Sequence, residues 1–130
     1  MSSIFSKIVR GEIPSYKIAE DDHYLAVLDI WPLALGHVLV IPKNETDSIF
    51  DLDDQEYQGL WQFAKKTAKA IEKTIPCKRV GIAVIGLEVP HAHIHLIPLQ
   101  SVEDINFSKP KLKLDSDMMK GIAKKIISGF

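Results

Sequence analysis

Several things are scarce in this chain, and each scarcity excludes something. It has one cysteine, Cys77, so no disulfide can close within it. A lone thiol suits a reducing compartment. No stretch approaches the roughly 18 consecutive apolar residues that a membrane-spanning helix needs. The opening residues show no long apolar run after Lys7, so no secretory signal is expected and a cytoplasmic protein is. An excess of charge of either sign is also missing. The 16 basic and 17 acidic residues give a formal net charge of −1, which offers no basic face for DNA or RNA. A free nucleotide is still admissible, because binding one needs only local groups. Repeats and low-complexity tracts are absent. Residues 84–99 contain no Lys or Arg.

What is present is ordinary globular composition, 46% hydrophobic and 25% charged over 130 residues, enough for one domain. Its core is expected over about 3–99, with an extension over about 100–130. Gly11 to Pro14 marks a turn after a short apolar start, since Pro14 bars Ile13 from helical geometry. Tyr16–Glu20 and Tyr24–Leu28 read as two strands around a polar turn containing His23, which is expected to be exposed. Asp29–Gly36 is a loop, and His37–Ile41 a β-branched strand closed by Pro42. The clearest helix spans Asp54–Thr74, with Asp53 as N-cap and Glu56 completing a capping-box-like pair. Tyr57, Leu60, Trp61, Ala64, Ala68, Ile71 and Ile75 recur at helical spacing and form its buried stripe. Lys65, Lys66, Lys69 and Lys73 lie mostly off that stripe and read as a solvated face. Val80–Ile85 and His91–Ile97 are further strands. A last helix, capped by Asp115 or Ser116, turns Met119, Ile122, Ala123 and Ile126 inward. Five strands with a long helix and a terminal helix make an α+β domain with a mainly antiparallel sheet.

Three of the five histidines stand in one short run, His91, His93 and His95, between Pro90 and Pro98. On a strand they share one face while Ala92, Ile94 and Leu96 share the other. Three imidazoles in register gain nothing for folding, because each loses solvent and needs a hydrogen-bond partner. Function is the better explanation. Neutral imidazole serves as nucleophile, base or metal ligand. As a zinc site the row is poor, since its outer members lie about 13 Å apart at Cα on an extended chain. A metal-dependent hydrolase is therefore the lesser alternative. The lack of nearby cations favours phosphorus chemistry on a lightly charged group, such as a phosphoramidate, mixed anhydride or diester.

The run His91-Ala92-His93-Ile94-His95-Leu96-Ile97 resembles the signature of histidine-triad (HIT) proteins, three histidines alternating with apolar residues. The likeness extends in order from residue 3 to about 99. It includes Ile4 to Pro14, Glu20-Asp21-Asp22, Leu28-Asp29-Ile30 with Pro32, and Gly36 to Lys43, and it is nearest to the nucleoside phosphoramidase branch. That resemblance implies a HIT-like fold and attack by His93 on the α-phosphorus of a purine nucleotide conjugate, through a nucleotidyl-histidine intermediate that water then resolves. His91 and His95 would orient His93 and contact the phosphate, with His37 completing the network. Asp29 would accept both ribose hydroxyls, and Ile30, Phe5, Ile8 and Val27 would form the slot for the base. A homodimer is implied as well. Trp61 and Phe63 lie on different sides of the long helix, so one of them is expected at the partner surface.

Two departures from the family pattern stand out. The loop before the triad, Ile85 to Pro90, is shorter than in many members and lacks their Ser/Thr or Gln. Glu88 stands near that place, which keeps open a nucleotide-binding module with little turnover. Some bacterial relatives carry Cys-x-x-Cys near the start, holding a structural zinc. Ser3 and Ser6 occupy those positions here, so neither metal nor other cofactor is expected.

Overall fold

The computed structural model describes residues 2–130. In chain order it contains α1 (Ile4–Val9), β1 (Lys17–Glu20), β2 (Tyr24–Leu28), β3 (Val38–Pro42), a short 3-10 turn (Ile49–Asp51), α2 (Asp54–Thr74), β4 (Arg79–Ala83), β5 (Ile94–Leu99), a second 3-10 turn (Val102–Ile105) and α3 (Ser116–Ile127). The strands form one open antiparallel sheet in the order β1-β2-β3-β5-β4. The architecture is α+β, as the strand and helix patterns predict.

Alternation along the central strands gives the sheet two different faces. Ala26, Leu28, Val38, Val40, Ile94 and Leu96 face α2 and α3 and join the main core with Leu60, Ala64, Ile71, Met119, Ala123 and Ile126. The residues between them, Leu25, Val27, Leu39 and Ile41, form a second, smaller cluster on the opposite face, with Phe5 of α1 seated on it. Only that thin layer covers the second face, and this leaves room for a cavity.

Several local expectations need correction. The apolar start is a helix: the Ser3 side chain accepts the Ser6 N–H as N-cap, and Gly11, at φ +77°, turns the chain out just beyond it. β5 begins at Ile94 rather than His91 and runs through Pro98 to Leu99. The backbone of residues 91 and 92 is engaged elsewhere, with the Ala92 N–H donating to Thr46 O at 2.7 Å. Since Ala83 pairs with His95, β4 has no partner beyond it and stops short of Ile85. Asp53 caps α2, but Glu56 Oε1 has no partner, so only half of the capping box forms. Trp61 and Phe63 both pack against the main core and both stay partly exposed, so burial does not single out one of them. Lys65, Lys66, Lys69 and Lys73 are exposed, as a solvated face requires. No helix among the described residues is long and apolar enough to cross a membrane.

Candidate active site

A cavity of about 380 Å³ opens on the second face, bounded by α1, the loop after β2, the loop before β5 and a piece of the C-terminal region. Gly36 brings the chain into it. With φ at +92°, and with a Cβ set to meet Ile75 at 3.1 Å and Pro98 at 3.3 Å, this position turns the loop tightly before His37. His37 then points to the same side as Leu39 and Ile41.

The hydrogen-bond partners determine which nitrogen of each imidazole holds the proton. Leu33 N–H donates to His37 Nδ1 at 3.0 Å, so the proton of neutral His37 sits on Nε2. That N–H donates to His95 Nδ1 at 3.0 Å, which leaves the His95 proton on Nε2. A backbone amide thus sets a two-ring relay ending in a donor. For His93 the polarity is opposite. Its Nδ1–H donates to the carbonyl of His91 at 2.8 Å, so Nε2 keeps an unprotonated lone pair on a ring that lines the cavity. The rings of His93 and His95 are 4.9 Å apart, and Phe5 packs edge-on to His93 at 4.8 Å. A lone pair and an N–H donor therefore stand side by side.

Burial keeps these rings neutral. It lowers His37 to about 3 and His95 to about 4, with neighbouring imidazoles and Lys111 adding to the effect, and it lowers His93 as well. Desolvation raises Asp29, while the N–H of Trp31, donating to its Oδ1 at 2.8 Å, works against that rise. Asp29 both caps its own loop and lines the cavity.

His91 does not stand where the resemblance places it. Its ring is wholly buried and does not line the cavity. Nε2–H donates to Pro42 O at 2.8 Å, and Nδ1 accepts from the Ser3 hydroxyl at 2.7 Å. With both nitrogens spent, the ring has nothing to offer a phosphate, and only its carbonyl acts, by orienting His93. The cause is the bend before β5, which tucks residue 91 beneath α1. Ser3, Ser6 and Glu45 complete this knot: Ser3 N–H and Ser6 O–H both donate to Glu45 Oε1, at 2.6 and 2.7 Å. Those bonds lower the Glu45 carboxyl to about 2. The set does not suit the zinc of the Cys-x-x-Cys relatives, since hydroxyls stand for thiolates and are already hydrogen-bonded.

The remaining expected residues are dispersed around the cavity. Phe5 and Val27 are buried in its floor and Ile8 is half-buried, whereas Ile30 and Trp31 are 54% and 57% exposed at the rim. Glu88 lies in the exposed loop before β5 and also lines the opening, and His23 is exposed in its turn. Phe107 and Lys111, which line the cavity from the C-terminal region, carry no local signal in the sequence. One further grouping bears on metals: ligand atoms of Asp29, His37 and His95 lie within 4.8 Å of one another. The relay argues against an ion there. The Leu33 N–H forces the proton onto His37 Nε2, the atom that would have to bind metal.

An antiparallel α+β sheet that sets neutral imidazoles in a row along an apolar cavity defines the histidine-triad class of architecture. The comparisons agree. A family model for the HIT domain matches residues 10–102, and the chain belongs to that family. It is 37% identical over 131 residues to an uncharacterized HIT-like protein of Borreliella burgdorferi, covering 95% of this chain and 94% of that one. It is 35% identical to the adenosine 5′-monophosphoramidase of Schizosaccharomyces pombe, covering 98% of each. The crystal structure of a Hit-like protein from Bartonella henselae superposes with a TM-score of 0.86 at 30% identity, covering 99% of this chain and 97% of the other.

Proposed function

We propose that the cavity binds a purine nucleotide and that the protein hydrolyses conjugates of it at the α-phosphorus. The observation that carries this reading is the unprotonated Nε2 of His93 on the cavity wall, its partner nitrogen tied to the His91 carbonyl. In the first step that lone pair forms an N–P bond and the bond from phosphorus to the leaving group breaks, its electron pair going with the leaving group, which takes a proton from solvent. Water then attacks phosphorus and gives up a proton to solvent, the N–P bond breaks with its electron pair returning to His93 Nε2, and the nucleoside monophosphate is released. Splitting one hard displacement into two easier ones is the benefit of the covalent route. His95 Nε2–H, held by the His37 relay, donates to a phosphoryl oxygen as charge builds there. Asp29 accepts the ribose hydroxyls, and Phe5, Ile8, Val27 and Ile30 flank the base.

Adenosine 5′-phosphoramidate tests the reading. The purified protein should release AMP, and a quenched reaction should contain a nucleotidyl adduct on His93 by mass spectrometry. Equal turnover by His93→Ala would remove His93 from the mechanism. A specific observation favours a second reading, a nucleotide-binding module with little turnover: Glu88 brings a carboxylate to the opening of the cavity. On that reading Glu88→Gln tightens AMP binding several-fold in calorimetry, and neither form turns over. We also propose a cytoplasmic homodimer. β4 is an edge strand, and Ile82 is 50% exposed upon it, with Ile85 46% exposed just beyond. Light scattering should give twice the chain mass, and a monomer mass contradicts it.

A further inference from the structure

One wall of the cavity comes from the far end of the chain. The irregular stretch leading from the second 3-10 turn to α3 runs past the loop after β2, where Leu112 N–H donates to Pro32 O at 2.8 Å. Phe107 from this stretch packs edge-on against His95 at 4.8 Å between ring centroids and reaches His37 at 6.3 Å. Lys111 Nζ lies 5.6 Å from the Phe107 ring centroid. His93, His95, Phe107 and Lys111 thus succeed one another along a single wall, at steps of 4.9, 4.8 and 5.6 Å. The chain of contacts starts at the nucleophile and ends at an ammonium.

Lys111 has no competitor for that position. Among the described residues lining the cavity it is the only Lys or Arg, and the other formal charges there are the carboxylates of Asp29 and Glu88. The imidazoles are neutral. Lys111 Nζ donates to Phe107 O at 2.6 Å and, more distantly, to Lys109 O at 3.4 Å. An ammonium has three N–H donors, so capacity for another acceptor remains. Neutral N–H groups suffice for a singly charged α-phosphoryl group. A leaving group bearing its own negative charge has to settle in a cavity with two carboxylates, and one cation then decides whether it is accepted.

We propose that Lys111 is a specificity-determining residue that selects nucleotide conjugates with an anionic leaving group, either a further phosphate or a carboxylate-bearing amine. This rests on the nucleotide reading of the cavity. The competing role is structural: through the Phe107 carbonyl, Lys111 staples its own turn and has no dealings with substrate.

A matched pair separates the two. AMP joined through nitrogen to glycine and AMP joined to glycinamide differ by one carboxylate. The wild type should favour the glycine conjugate in kcat/KM. Lys111→Gln should reduce that preference about two- to fivefold, the size of one partly exposed ion pair, and Lys111→Arg should restore most of it. A staple slows both conjugates alike and leaves the ratio unmoved, which overturns the proposal. The phosphate arm needs no turnover: ADP and AMP are titrated while following the fluorescence of Trp31, which stands at the rim. Tighter binding of ADP by a similar factor, lost in Lys111→Gln, supports the proposal. A preference in one arm alone assigns phosphate or carboxylate as the group recognised. No preference in either arm overturns it. If no conjugate is hydrolysed yet ADP still binds more tightly through Lys111, the hydrolase reading fails and the selection stands. If neither nucleotide binds, both fail.

Discussion

His91 and His93 are two residues apart in the same run, yet they occupy opposite circumstances. Around His91 every polar atom of the ring is answered from within the protein, by Ser3 on one side and Pro42 on the other. At His93 one nitrogen is answered and the other faces the cavity. An imidazole becomes a fixture or a reagent according to what its second nitrogen meets, and that depends on elements far away in sequence. His95 and His37 fall between these cases, since their bonds to each other leave a single N–H for the outside.

The comparison breaks most sharply under alanine. His93→Ala should lower turnover of a phosphoramidate by about 10⁴-fold or more, the scale on which covalent nucleophiles fail when removed, with AMP binding by calorimetry changed far less. His91→Ala should behave the other way round in stability. It leaves the Ser3 O–H without its acceptor and the Pro42 carbonyl without the His91 N–H, around a void, which costs about 2 to 4 kcal/mol. Denaturant titration checks this, and a stability equal to wild type would show that the knot is dispensable.

Acid provides the next test, with two readouts. His93 is held below the ordinary 6.5 by burial, so kcat should hold steady as the pH drops from 7.5 past 6.5. An acid limb centred at or above 6.5 contradicts this. For stability, the folded chain holds His37 near 3 and His95 near 4, against 6.5 for an ordinary histidine. Between those values the unfolded chain binds more protons. The contribution is therefore complete above pH 6.5 and declines as the pH falls toward 4. Calorimetry should show Tm decreasing over that interval.

The smallest expected effect concerns Glu45, which is exposed and touches the site only through Ser3 and Ser6. Glu45→Gln keeps a carbonyl acceptor for both donors and should be near neutral. Glu45→Ala should loosen α1 and lower kcat about two- to fivefold, the range of a single surface hydrogen bond. Identical behaviour of the two variants would mean that the knot does not reach His93.

Much of this molecule is legible residue by residue. The period of α2, the alternation in β2 and β3, and the three spaced histidines are local patterns, and the structure places Asp29, His93 and His95 around one cavity with His37 buried behind His95. α1 escapes such reading because six residues make too few turns to show a period, and its cap is one serine. The misplaced start of β5 has a similar origin. Alternating residues signal an extended chain, but whether that chain pairs with a neighbour depends on where the neighbour ends.

Sequence by itself determined the α+β class, the identity of the imidazole-bearing segment and the family to which it points, because periodicity and residue chemistry are properties of neighbours along the chain. Tertiary structure alone decided which imidazole is locked and which is free, which nitrogen carries each proton, and that Phe107 and Lys111 reach the cavity. The physical reason is that hydrogen bonds and burial are made across space. Ser3 meets His91 across 88 residues and His37 meets His95 across 58, distances over which no local pattern carries information.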